Sequence, residues 1–201
     1  MELARATGKP VVVLDRVQCH GELAVGSGRP EPEPGGVRRF FLADRAVADG
    51  VISAEAAYAS LVRLLAEHEE TILEGGSISL LTELARHSGW RENATVQVKF
   101  VRPSGDFPHR LRERVERMLR TGRTMLDEVR DLWPDPRTHT VLAGIVGYRE
   151  ILASACDHQT FQFTDAARDR LVDVVTDAHL RYAACQVEQF DALIASIRGT
   201  G

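Results

Sequence analysis

Lysine is almost missing from this 201-residue chain: Lys9 and Lys99 are the only two among 25 basic residues. The rest are arginine, a bias expected of a GC-rich gene, so arginine abundance carries no functional message by itself. A basic surplus is missing too. The formal net charge is −4, which argues against a general nucleic-acid binder, whose surface carries a basic excess or stripe. Cysteine is scarce: Cys19, Cys156 and Cys185 are far apart, odd in number and form no Cys-x-x-Cys pair. That is the pattern of free thiols in a reducing cytoplasm, not of a disulfide framework. No apolar N-terminal stretch resembles a signal peptide, and no run approaches the ~18 apolar residues of a membrane helix. There is no His-Glu-x-x-His and no Asp-rich motif, and the seven histidines are scattered, so no metal ligand is assigned. These absences point to a cytoplasmic protein with no membrane or nucleic-acid partner, its oligomeric state open. What is present, 44% hydrophobic and 27% charged residues, suffices for a real core and an ordinary surface. It fits one domain, or one domain with a helical extension.

The chain changes character at Pro103. Before it, short apolar runs alternate with helical spacings. Residues 2–8 read as the end of a helix closed by Gly8, a favoured residue just past a helix terminus. Val11 to Leu14 is continuously apolar, as a strand covered on both faces requires. Residues 26–36, with Pro30, Pro32 and Pro34, are expected to form a loop without an element interior. Arg39 to Leu42 reads as a short strand. Ser53 caps a helix with Ala57, Leu61 and Leu64 on one face. Thr71 to Glu74 reads as a strand entering Gly75-Gly76 and a helix over about residues 77–86, and Val96 to Val101 as a further strand. Strands alternating with helices predict a parallel α/β sheet. Beyond Pro103 the spacings are helical: residues 106–120 with Leu111, Val115 and Met118 in line, then about 123–132, then from about Thr138. Thr164-Asp165 opens a long helix with Ala167, Leu171, Val174, Ala178, Tyr182 and Cys185 near 3.6 spacing. The expected division is an α/β part, 1–102, and a helical part, 103–201, packed as one unit.

Several constellations carry potential chemistry. Asp15 follows the first predicted strand, where open parallel sheets place their ligand crevice. On position alone it is either a turn cap or a working acid. Gly26-Ser27-Gly28-Arg29-Pro30 offers unobstructed backbone amides and an arginine fork suited to phosphate, although Gly-x-Gly is common in ordinary turns. Gly75-Gly76-Ser77 joins a strand to a helix N-terminus whose free amides suit an anion, or simply packs strand against helix. Arg110, Arg114 and Arg117 share one helix face. A run of this kind is usually solvated surface, the reading accepted for Arg110 and Arg112.

In their order along the chain, Leu14-Asp15-Arg16-Val17-Gln18-Cys19, the Gly26–Pro30 turn, Glu74-Gly75-Gly76-Ser77, the segment from Arg114 to Leu119, Asp131-Leu132-Trp133, Pro136-Arg137 and Gly147-Tyr148-Arg149-Glu150 together resemble one family. It is that of the bacterial adenylate isopentenyltransferases, the cytokinin-forming relatives of the tRNA dimethylallyltransferases. The resemblance runs from about Glu2 to Phe190. It implies a P-loop-NTPase-like parallel sheet with a helical C-terminal half, the first part binding nucleotide and the second the prenyl donor. The implied reaction moves a dimethylallyl group from its diphosphate to N6 of AMP, with Mg²⁺ held through the diphosphate. By resemblance, Asp15 is the general base that deprotonates the exocyclic amine, and Ser27, Arg29, Gly75, Gly76 and Ser77 contact AMP. Arg114 grips the diphosphate and stabilises the leaving group, and Val146, Arg149 and Tyr182 line the donor site.

Two departures from the family pattern stand out. Members that use a hydroxylated donor have an aspartate before Gly-Tyr-Arg and a histidine in the last helix, where this chain aligns Val146 and Tyr182. Valine cannot hydrogen-bond a hydroxyl, so plain dimethylallyl diphosphate is the expected donor. The family's first strand and its Gly-x-x-x-x-Gly-Lys-Ser/Thr phosphate loop also precede the point where this chain starts, so both are expected to be absent, with Met1 inside the following helix. A start codon placed late in a normal gene ranks first as the reason. A catalytically silent relic and an adenine-nucleotide-binding protein are the alternatives. The tRNA-modifying relatives are disfavoured, because their extra helical insertion has no room here.

Overall fold

A computed structural model describes residues 2–30, 36–68, 70–87, 90, 103–155, 157–158 and 160–199. The strand expected over 96–101 lies outside the described residues. Helix α1 (Glu2–Thr7) ends at Gly8, whose φ of +67° and N–H bond to the Ala4 carbonyl (2.8 Å) close it as the sequence predicts. Strand β1 (Val11–Leu14) then runs between β2 (Arg39–Phe41) and β3 (Ile72–Gly75), parallel to both, in the order β2-β1-β3. Val11 stands opposite Arg39 on one side and Ile72 on the other. All four residues of β1 are buried because alternate side chains enter different cores. Val11 and Val13 join Ala4 and Val37, while Val12 and Leu14 join Leu42, Leu61 and Leu80. Arg39 reaches from β2 to Glu74 of β3 (3.1 Å) and ties the two outer strands together.

Helix α3 (Ala54–Glu67) starts where Ser53 Oγ accepts the Ala56 N–H at 3.1 Å and buries Ala57, Leu61 and Leu64, the face read from the sequence. Helix α4 (Ile78–Arg86) follows Ser77 directly. Residues 26 and 27, expected to begin a loop, instead end a single helical turn, α2 (Ala24–Ser27), closed by Gly28 at φ +70°. Its stabilising partner, Glu128, is more than a hundred residues away, so no local signal announces it.

The second half is helical: α5 (Phe107–Arg120), α6 (Met125–Leu132), α7 (Pro136–Gly144), α8 (Tyr148–Ser154) and α9 (Asp165–Gly199). Helix α7 begins two residues before the expected Thr138, with Asp135 accepting the Arg137 N–H (3.0 Å) and Pro136 in the first turn, a position that suits proline. These helices share a core of Val115, Leu119, Met125, Val129, Leu142, Tyr148, Ile151 and Leu171. Leu23 and Val47, from the first half, are buried in the same core. The face expected for α9 needs correction. Val174 and Tyr182 are 44% and 40% exposed, and the buried line runs through Leu171, Val172, Val175 and Ala178. Three helices, α4, α5 and α8, pack on α9, so its covered face follows several partners and not a single stripe. Among the described residues no helix is long and apolar enough to cross a membrane.

Candidate active site

The carboxyl end of β1 delivers Asp15, and the structure shows its carboxylate engaged with the turn that follows. Oδ1 accepts the backbone N–H of Val17 (2.8 Å) and of Gln18 (3.4 Å), the first two residues of the 3-10 turn Val17–Cys19. Oδ2 faces the Gln18 amide nitrogen at 3.5 Å. The turn amides therefore pin Oδ1, and the Gln18 side chain faces Oδ2. Gln18 Nε2 also donates to the Ser27 carbonyl (3.2 Å), and Arg29 Nη1 donates to the Gln18 carbonyl (3.0 Å). The Arg29 guanidinium lies 4.0 Å from the centre of the Phe41 ring and 3.8 Å from Asp44. Asp15, Ser27 and Arg29, singled out separately in the sequence, are thus one connected unit with Gln18 at its centre.

Arg114, from α5, places its guanidinium against Gly28: a Cβ there would lie 2.1 Å from Nη2. Only glycine satisfies both this contact and the positive φ at residue 28. Desolvation and neighbouring Arg117 lower the Arg114 pKa, while the Asp15 carboxylate acts in the opposite sense. Arginine remains cationic at neutral pH regardless. Tyr182, on α9, has its phenol pKa raised by burial first and then by Asp15 and Cys185. Asp15 thus stands within electrostatic reach of both Arg114 and Tyr182, residues far from it in sequence.

The turn before α8 forms the other side. Gly147 has φ +94°, and its N–H is held by Glu150 Oε2 at 2.7 Å. Arg149 donates to Glu150 Oε1 through Nε (3.0 Å) and Nη2 (2.7 Å). Burial opposes ionisation of Glu150, but Arg149 and the Gly147 amide prevail and hold it below its usual pKa. Val146 is half-buried in this turn. Facing Gly147 is His179, whose Nε2 would lie 3.3 Å from a Cβ at that glycine. Its pKa is lowered by burial and by Arg114, with Glu150 opposing, which favours a neutral ring.

Gly75 and Gly76 have a packing explanation. Gly75, at φ +132°, lies so close to β1 that a Cβ would meet the Leu14 carbonyl oxygen at 2.8 Å. A Cβ on Gly76 would meet Phe190 at 2.8 Å, and the Gly76 carbonyl accepts from Gln186 of α9 (2.8 Å). The Ser77 N–H donates to the Leu14 carbonyl (3.1 Å) and its hydroxyl faces Ser79 (3.3 Å). The turn therefore sits directly beside the end of β1 that carries Asp15. Asp131, Trp133 and Arg137 make local contacts: Asp131 pairs with Arg123 (2.6 Å), Trp133 stacks on His139 (3.7 Å), and Arg137 pairs with Asp135 (2.6 Å). Arg112 pairs with Asp173 of α9, and Arg110 lies 3.3 Å from Asp106 on the surface.

Over residues 1–199 the sequence matches the isopentenyl transferase family model. The chain belongs to the isopentenyl transferase family. Its parallel sheet with a largely helical remainder is the P-loop-NTPase-like architecture expected of that family. It is 38% identical over 211 aligned positions to the adenylate dimethylallyltransferase of Ralstonia nicotianae, covering 96% of this chain and 88% of that protein. Proteins of the same name from Rhizobium rhizogenes and Agrobacterium tumefaciens (strain T37) are 37% and 36% identical, each alignment covering 94% of this chain and 84% of the relative.

Three residues in contact with the candidate site were not singled out from the sequence: Gln18, His179 and Glu128. Gln18 follows Asp15 by three residues, a spacing that lets its side chain reach the aspartate across the turn. His179 lies one helical turn before Tyr182, so a search along that face would have found it. Glu128 had no signal, since its partners are remote in the chain.

Proposed function

We propose that this chain transfers the dimethylallyl group of dimethylallyl diphosphate to N6 of AMP, releasing diphosphate and forming isopentenyl-AMP, a cytokinin precursor. The observation that carries the reading is the Asp15 carboxylate, pinned by turn amides at the end of β1 and electrostatically coupled to Arg114. The exocyclic amine of AMP is a poor nucleophile, and a carboxylate aimed at its hydrogen improves it. As N6 bonds to C1 of the prenyl group, the C1–O bond breaks, the proton passes to Asp15, and the diphosphate departs with the electron pair. Arg114 stabilises the charge that builds on that leaving group. Ser27, Arg29 and the Gly75-Gly76-Ser77 turn hold AMP on the Asp15 side, and Val146, Arg149 and Tyr182 flank the donor. Apolar Val146 offers no partner to a donor hydroxyl, which supports plain dimethylallyl diphosphate. Mg²⁺ bound together with the diphosphate would supply neutralisation of the phosphate charge. No group of His, Cys, Asp or Glu among the described residues would hold it alone. The free thiols Cys19 and Cys185 suit a reducing cytoplasm as the place of work.

The test is chromatographic detection of isopentenyl-AMP from AMP, dimethylallyl diphosphate and Mg²⁺. Asp15→Asn keeps the oxygen that accepts the turn amides but loses the base, so kcat falls by about 10²–10⁴ with AMP affinity nearly unchanged. Equal turnover by Asp15→Asn would remove Asp15 from the mechanism. A folded wild-type protein that binds AMP yet forms no product would leave a nucleotide-binding protein instead.

A further inference from the structure

The four-residue helix α2 is far too short to sustain itself, and its leading amides need acceptors. Its N-cap residue, Leu23, provides no side-chain acceptor. The acceptor is Glu128 of α6, only 1% exposed. Its Oε1 accepts the Val25 N–H (2.7 Å), and its Oε2 accepts the Gly26 N–H (3.2 Å) and the Tyr148 hydroxyl (2.5 Å). One buried carboxylate thus serves two donors from the loop that carries Ser27 and one from the first residue of α8. The fit is close: a Cβ on Gly26 would lie 2.2 Å from Tyr148 Oη. Burial raises the pKa of Glu128 and pushes that of Tyr148 far above its ordinary value, so the phenol stays a donor. Glu128 also forms part of the wall of a cavity of about 390 Å³ that Arg29, Glu22 and Arg123 line as well.

From α2 the contacts continue to the base. The Ser27 carbonyl receives Gln18 Nε2, which lies 3.5 Å from Asp15 Oδ2. From Tyr148 they continue to the Gly147 and Arg149 turn held by Glu150. We propose that Glu128, with Tyr148, is a positioning residue that sets the nucleotide loop, and through Ser27 and Gln18 the Asp15 carboxylate, against the donor-side turn. This rests on the function proposed above for its naming of AMP and donor sides. The connected contacts themselves stand without it.

The experiment compares wild type, Glu128→Gln and Tyr148→Phe by residue-resolved amide hydrogen exchange, AMP titration calorimetry and steady-state kinetics. Glu83→Gln serves as control, since Glu83 is a buried carboxylate of α4 paired with Arg86 and His87. Glutamine keeps one acceptor oxygen but replaces the other with a donor. Its expected effects are about 10-fold faster exchange at Val25 and Gly26 and about 10-fold weaker AMP binding, the size expected for losing a charge-assisted hydrogen bond. KM for AMP rises in step, while KM for dimethylallyl diphosphate and exchange elsewhere stay as in wild type. Tyr148→Phe leaves both amide bonds and shows the same pattern at about 3-fold, the size of an ordinary net hydrogen bond. Unchanged exchange at Val25 and Gly26, or unchanged AMP affinity, in a folded Glu128→Gln protein overturns the proposal. Equal effects from Glu83→Gln overturn it as well. Should Glu128→Gln fail to fold, Tyr148→Phe decides alone by the same readouts. A wild type that makes no isopentenyl-AMP defeats the proposed reaction, while exchange and AMP binding still decide this inference.

Discussion

At single positions, glycines set how closely the parts of this site approach one another. Gly26 and Gly28 are two residues apart in the loop but serve different neighbours, Tyr148 and Arg114. Adding a methyl at Gly26 drives it into a buried phenol whose hydroxyl is held by Glu128. Gly26→Ala is therefore expected to destabilise the protein by about 1–3 kcal/mol, the usual range for forced overpacking. Gly105→Ala, at a glycine with nothing within 4 Å of a built Cβ, stays within about 0.5 kcal/mol. Urea denaturation of the two variants measures the contrast, and equal stabilities would mean that Tyr148 has room to move.

Among the elements, α6 is the one that carries Glu128. Its start is fixed by a capping box: Thr124 Oγ1 accepts the Asp127 N–H (3.3 Å), and Asp127 Oδ2 accepts the Thr124 N–H (2.9 Å) and hydroxyl (2.7 Å). Thr124→Ala removes the reciprocal cap and is expected to cost about 1 kcal/mol. The Thr124 hydroxyl and amide, followed by Arg130, hold the Asp127 carboxyl below its ordinary pKa. A depressed folded-state pKa adds stability that is complete above the unfolded value of about 3.9 and is lost as pH falls through the folded value. The stability gap between wild type and Asp127→Asn, measured by thermal unfolding, is therefore constant near neutrality and closes below about pH 4. A gap unaffected by acid would mean that the carboxylate charge contributes nothing.

For the molecule as a whole, α9 joins what the sequence presents as two halves. Its first stretch buries Leu171, Val172 and Val175 in the helical core, and its later part lays Gln186 and Phe190 over the Gly76 turn of the α/β part. Ion pairs Arg112–Asp173 and Arg120–Asp169 also join α5 to α9, but pairs this exposed contribute little. Apolar contact is what holds the halves together. Phe190→Ala is expected to destabilise the chain by about 3–5 kcal/mol, as for other buried phenylalanines, and to loosen the Gly75-Gly76-Ser77 turn beside Asp15. Chemical denaturation with hydrogen exchange at residues 75–77 reads both effects. A loss below about 1 kcal/mol would assign the joining to other contacts.

What the sequence determined by itself is whatever depends on neighbours along the chain. Gly8 ends α1, Ser53 starts α3 and buries the predicted face, and four consecutive apolar residues make the central strand β1, because caps, positive φ and continuous apolarity act over a few residues. The motifs in order were also enough to indicate the isopentenyl transferase family. Tertiary structure alone decided the rest. The helical turn at residues 24–27 is supported by Glu128, brought in by the helical core, which accepts the Val25 and Gly26 amides. The buried face of α9 follows three helices that pack on it, which left Val174 and Tyr182 exposed against expectation. His179 meets Gly147, and Gln18 links Asp15 to Ser27, through folding that brings separate segments together. Hydrogen bonds and packing between distant segments have no period or spacing in the chain, so only the folded molecule shows them.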